Sequence, residues 1–132
     1  EEEEAAQSPP PPKFIINVSA MEGKFNRHKT PHHPHTNMAK AALNMMTRTS
    51  AGDYSKDYIY MNCVDTGWIN DENPLELASR IANQHNFQTP IDEVDAAARC
   101  LDPVMSGFEL HAGGGVEFQW GMFFKDYAAT DW

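Results

Sequence analysis

The sequence has few cysteines, few cations and no long apolar run, and each shortage narrows what the chain can be. Only two cysteines occur, Cys63 and Cys100. Both stand in apolar surroundings, which suits core thiols in an intracellular reducing compartment, cytoplasm or organelle interior, though sequence alone leaves a disulfide open. No apolar stretch approaches the roughly 20 residues that a membrane helix needs, so membrane insertion is not expected. Lysine and arginine number 10 against 19 acidic residues, for a net charge of -9. Nucleic acid or an anionic membrane surface would repel such a chain as a main partner. There is no internal repeat. No methionine or signal-peptide layout opens the chain, which begins Glu1-Glu2-Glu3-Glu4 and reads as cut from something longer.

What remains is a globular composition. The 132 residues suit one domain, and 41% hydrophobic with 22% charged residues excludes a fully disordered chain. Residues 1–12, EEEEAAQSPPPP, form a separate acidic, proline-rich tail or linker that cannot bury a core. They hold four of the nine net negative charges, so nearly half of the acidity says little about function. The folded part is expected over residues 13–132.

From Lys13 the pattern alternates. Phe14 to Ser19 is almost wholly apolar and predicts a strand buried on both faces. Gly23 to His35, with Pro31 and Pro34, predicts a loop. A helix opens at His35 or Thr36 and runs to about Ser50, with Met38, Ala42, Met45 and Met46 near one face as a packing stripe. Tyr58 to Val64 predicts a second strand, closed by Asp65-Thr66-Gly67. Asn73-Pro74 signals a helix to about His85. Thr89-Pro90 signals another to about Leu101, with Ile91, Val94, Ala98 and Leu101 on one side. A last strand falls between Val116 and Phe124. Buried strands alternating with helices imply an α/β fold, a doubly wound parallel sheet of which about three strands with crossover helices are present. The first strand would then need cover along one edge.

These residues resemble the C-terminal half of a short-chain dehydrogenase/reductase, a Rossmann-fold superfamily, over about Lys13 to Lys125. Ile15-Ile16-Asn17-Val18-Ser19-Ala20 followed by Gly23 is similar to that family's fifth strand. Ala39-Lys40-Ala41-Ala42 resembles the small-residue surroundings of its helix lysine. Ile59, Asn62, Val64, Thr66 and Gly67 fall at the spacing of its following strand and turn. Three departures stand beside these matches. Thr36 occupies the place of the catalytic tyrosine, four residues before Lys40. Ala20 replaces the catalytic serine, with Ser19 next to it on the opposite face of the strand. Thr66 replaces the proline of the turn. The glycine-rich phosphate loop that comes first in the family is absent.

The resemblance implies an NAD(P)-dependent oxidoreductase acting on a carbonyl or alcohol, with NAD or NADP bound only together with a missing N-terminal half. It implies Lys40 on the nicotinamide ribose and Thr66-Gly67 lining the nicotinamide. Thr36, Ser19 and His35 become the candidates for the catalytic hydroxyl and acid. Threonine is a far weaker acid than a phenol, and His35 is either a substitute acid or an ordinary loop residue. Loss of the tyrosine and serine favours an alternative, a catalytically inactive, structural or nucleotide-sensing subunit of a larger assembly. Partners implied are the N-terminal half or another chain along the Phe14–Ser19 edge, and a homodimer or larger assembly. His28, His32, His33 and His35 lie in a proline-broken loop that fixes no metal-ligand spacing, so no metal is expected. The resemblance places that loop over the substrate cleft.

Overall fold

The computed structural model describes residues 8–69, 91–114 and 117–132. Within them the elements are β1 (Lys13–Ser19), α1 (Pro34–Tyr54), β2 (Ile59–Asp65), α2 (Glu93–Ala112), β3 (Phe123–Lys125) and β4 (Ala128–Thr130). Single 3-10 turns occupy Met21–Gly23 and Ser55–Asp57. The strands form one sheet in the order β1-β2-β3-β4, with β1, β2 and β3 parallel and β4 antiparallel to β3. The helix expected from Asn73 to about His85 and the Thr89-Pro90 start lie outside the described residues, as does most of the acidic tail.

The α/β reading, with its mostly parallel sheet, holds. Several details differ. β1 is half-buried rather than buried on both faces, because among the described residues only β2 pairs with it. β2 is the buried centre, with Tyr60 through Asp65 all enclosed. A fourth strand appears after the expected three, through a two-residue hairpin at Asp126-Tyr127. Both hairpin residues take positive φ, 49° and 63°, as a twisted two-residue turn requires. Neither is glycine, so the sequence lacks the usual hairpin signal. Arg99 of α2 holds the turn by pairing with Asp126 and by lying 5.4 Å over the Tyr127 ring.

The helices cover opposite faces of the sheet. Alternation along β1 and β2 points Asn17, Ser19, Met61 and Cys63 to one face and Phe14, Tyr60 and Asn62 to the other. On the first face, α1 buries Asn44, Thr47 and Ala51. Thr47 accepts from Asn17 Nδ2 at 2.8 Å and lies 3.0 Å from Cys63 Sγ. The methionine stripe therefore faces outward, Met38 at 70% and Met45 at 62% exposure, because hydrogen-bonding and small side chains fill the seam instead. On the second face, Phe14 packs with Tyr60, Phe108 and Phe118 at centroid distances of 5.3 to 5.8 Å.

Helix α2 starts later and ends later than the apolar pattern predicts. Asp92 caps it, accepting from Asp95 N at 2.9 Å, and Pro103 is buried within it rather than ending it. Its buried residues are Ala96, Pro103 and Gly107, while Val94 and Leu101 face outward. Gly107 leaves room for the Phe118 ring, which a Cβ there would meet at 2.8 Å.

Both cysteines are free. Burial pushes the Cys63 thiol above the ordinary range, partly offset by its contact with Thr47. The folded state thus keeps a proton that the unfolded chain releases. Its contribution is complete below the ordinary thiol range and is lost as pH rises through the raised folded value. Urea midpoints are expected to fall between pH 7 and about 9.5 more steeply in the parent than in Cys63→Ala. Equal slopes would show that Cys63 is not the titrating group.

Candidate functional site

Parallel strands in an open α/β sheet present their C-terminal ends to ligands, because the connections leave a crevice there. The C-terminal ends of β1 and β2 border a cleft of about 230 Å³. Ser19 and the turn after β1 form one wall, Thr36 and Lys40 of α1 a second, and Asp65 through Ile69 a third, with Lys125 of β3 closing the far side.

The turn after β1 sets the position of α1. A Cβ at Gly23 would stand 2.7 Å from the Lys40 carbonyl carbon and 2.8 Å from Ala41 N, so only glycine lets the backbones approach this closely. Lys40 thereby reaches the end of β1, and its Nζ donates to Val18 O at 2.9 Å. An ammonium has three donors, and among the described residues the other two are left for a ligand in the cleft. Thr36 lies one turn earlier on the same cleft wall. Gly67 follows β2 with φ of 82°, and Asp65 Oδ1 accepts from its N–H at 2.8 Å, closing a side-chain turn.

Ser19, Thr36, Lys40, Thr66 and Gly67 thus come together. His35 does not join them; it is exposed, with its ring 6.1 Å from that of His33. Ser19 borders the cleft, but its hydroxyl donates to Asn44 Oδ1 and lies 3.3 Å from Lys40 O, so it is engaged in the α1 seam. Asn62 is structural: its Nδ2 donates to Gln119 O at 2.9 Å and its Oδ1 accepts from Met122 N at 3.0 Å, clamping the approach to β3. Among the described residues no three His, Cys, Asp or Glu side chains converge as a metal-binding group.

Sequence reasoning passed over Asp65, the most connected group of the cleft. Its carboxylate is buried and accepts from Met21 N at 3.1 Å, Gly67 N at 2.8 Å and Lys125 Nζ at 2.9 Å. An aspartate ending an otherwise apolar strand was the available signal. A second cavity, of about 460 Å³, adjoins the cleft through Met21, Glu22 and Lys125 and is bordered by His28, His32 and His33.

No family model matches the chain. It is 40% identical over 98 residues to an uncharacterized protein, R665, of Acanthamoeba polyphaga mimivirus, a match covering 69% of this chain and 20% of that protein. It superposes with a TM-score of 0.52 and 18% identity on the NADPH-bound carbonyl reductase from chicken fatty liver, covering 90% of this chain and 42% of that one. The fold is Rossmann-like. The chain spans about a fifth of the curated relative's length and under half of the solved structure's. Among the described residues no helix is long and apolar enough to cross a membrane.

Asp65→Ala removes three bonds around one buried group and is expected to destabilise the fold by about 2–4 kcal/mol. Lys125→Met, whose partner keeps two amide donors, is expected to cost about 1–2 kcal/mol. Urea denaturation followed by circular dichroism measures both. An Asp65→Ala variant as stable as the parent would remove the carboxylate from this role.

Proposed function

We propose that this chain is the C-terminal, substrate-side half of an NAD(P)-dependent oxidoreductase related to the short-chain dehydrogenase/reductase superfamily, acting on a carbonyl or alcohol. The observation that supports this most is the convergence of Lys40, Thr36 and Thr66-Gly67 on one cleft at the C-terminal ends of β1 and β2. The similarity in fold to an NADPH-bound carbonyl reductase agrees with it.

Bound NAD or NADP would supply or accept the hydride. The cleft suits such a group: Lys40 has two uncommitted donors for ribose hydroxyls, and the Gly67 turn brings backbone to the opposite wall. Thr36 would orient a substrate oxygen by hydrogen bonding. The residues before Lys13 would be a tail, and an earlier half or another chain would cover the free edge of β1. The outward Val94, Leu101 and Met105 of α2 favour such cover, in a homodimer or larger assembly. Two free cysteines suit an intracellular reducing compartment.

A second reading, a catalytically inactive structural or nucleotide-sensing subunit, is favoured by two observations. The Ser19 hydroxyl is engaged with Asn44, and among the described residues no tyrosine borders the cleft. Proton transfer to a developing alkoxide would fall to Thr36 or a lysine, groups poorly matched to neutral pH without help.

Titrating the intact parent protein, with the earlier half that this reading requires, with NADPH and NADH, following nicotinamide fluorescence, separates the readings. The oxidoreductase reading expects saturable binding, weakened about tenfold or more in Lys40→Ala, as loss of charged hydrogen bonds implies. It also expects turnover with some member of a carbonyl panel. Binding without turnover would favour the sensing subunit, and no binding at millimolar cofactor would sink both nucleotide readings.

A further inference from the structure

We infer that the larger cavity, between the β1–α1 segment and β3, is an oxyanion site that takes the phosphate or carboxylate group of a small metabolite. As a statement about substrate this rests on the oxidoreductase reading; as a statement about anion binding it stands without it.

The chain carries a net charge of -9, yet this cavity gathers cations. Arg27, Lys29 and Lys125 border its roughly 460 Å³, against the single carboxylate of Glu22. His28, His32 and His33 add imidazole donors to the same wall. Two of the three fixed cations are already engaged. Lys29 Nζ donates to Glu22 O at 2.6 Å, and Lys125 Nζ donates to Asp65 Oδ2 at 2.9 Å. Among the described residues, Arg27 makes no hydrogen bond or ion pair. Its planar guanidinium presents five donors in a fork that matches the paired oxygens of a phosphate or carboxylate. The crowding of like charge also reaches Lys24: burial first, and then the charge of Arg27, hold its ammonium below the ordinary lysine range. A bound anion would relieve that repulsion.

The volume sets the ligand's scale. Cavities of about 300–1,000 Å³ take small molecules, and the chain's overall acidity opposes a polyanionic polymer. Met21, Glu22 and Lys125 border both this cavity and the Lys40 cleft. One molecule could therefore set its anionic end at Arg27 and its reacting end beside Thr36 and Lys40.

The test is isothermal titration calorimetry of the full chain with inorganic pyrophosphate and, separately, malonate, with NADPH titrated in parallel into the parent protein that carries the earlier half. At least one anion is expected to bind saturably, to weaken as salt rises from about 50 to about 300 mM, and to bind about tenfold or more weakly in Arg27→Gln. Arg48→Gln, on an exposed part of α1, is expected to bind like the parent. Pyrophosphate alone would identify a phosphate-bearing ligand, and malonate alone a carboxylate. Absence of saturable binding to either, or an unchanged Arg27→Gln, overturns the site. Should Arg27→Gln lose its circular dichroism signature, Arg27→Lys, which keeps charge without the fork, is expected to bind more weakly; unchanged affinity there overturns it equally. Arg27-dependent anion binding without NADPH binding would sink the oxidoreductase reading and leave the anion site. NADPH binding without Arg27-dependent anion binding would do the reverse.

Discussion

A carboxylate enclosed at the end of the central strand must be fully partnered, and the shape of the cleft follows from how Asp65 meets that demand. A buried charge left without donors costs several kcal/mol, so the chain brings donors to it from three directions. Met21 N comes from the turn after β1, Gly67 N from the turn after β2, and Lys125 Nζ from β3. One side chain therefore fixes the separation of three segments that no run of hydrogen-bonded sheet could fix beyond its last residue. The turn it holds after β1 contains Gly23, against which the backbone at Lys40 packs. The position of Lys40 thus depends on Asp65, although the two side chains share no bond.

The same preference for polar contacts runs along the seam between α1 and the sheet. Thr47, with no exposed surface, joins Asn17 of β1 to Cys63 of β2, and Asn44 joins Ser19. Apolar packing tolerates small slips, whereas hydrogen-bonded pairs lose their bonds when the register moves. This seam fixes the helix at a definite height above the strand ends, which a cleft built partly on that helix needs. It also carries a cost. The Ser19 hydroxyl that positions α1 is withdrawn from chemistry in the cleft.

These features explain which parts of the molecule could be read from the residues. β1, β2 and the start of α1 were legible because apolar runs and proline punctuation dictate them locally. The gathering of Lys40, Thr36 and Thr66-Gly67 was legible through the resemblance to a known family, and parallel strands that end on the same side of a sheet bring it about. The faces of the helices were not. Hydropathy assigns Met38, Met45, Val94 and Leu101 inward, but the seams are filled by Thr47, Asn44, Ala96 and Gly107, chosen for bonds and close approach rather than oiliness. β4 escaped for a different reason. Its turn uses Asp126 and Tyr127 in a conformation that side chains ordinarily resist, held by Arg99 from a distant helix. A constraint of that kind has no local signature.

The two edges of the sheet are also unlike, and their difference orients the cleft. On one side β4 is three residues long and antiparallel, a short terminus that offers little to a further strand. On the other side β1 is seven residues long, parallel to its neighbour, and unpaired on its outer edge among the described residues. A doubly wound sheet grows from the second kind of edge, and a crevice of the Rossmann type forms where strand order reverses beyond it. On the proposed reading, a dinucleotide would reach Lys40 from the β1 side. The cation-lined cavity is bordered mainly by the connection from β1 to α1 and reaches Lys125 of β3. On the same reading Lys40 and Thr36 would stand between the dinucleotide and this cavity. Arg27 and Lys125 border that cavity whatever Thr36 does, so what the chain binds can be asked apart from whether it turns anything over.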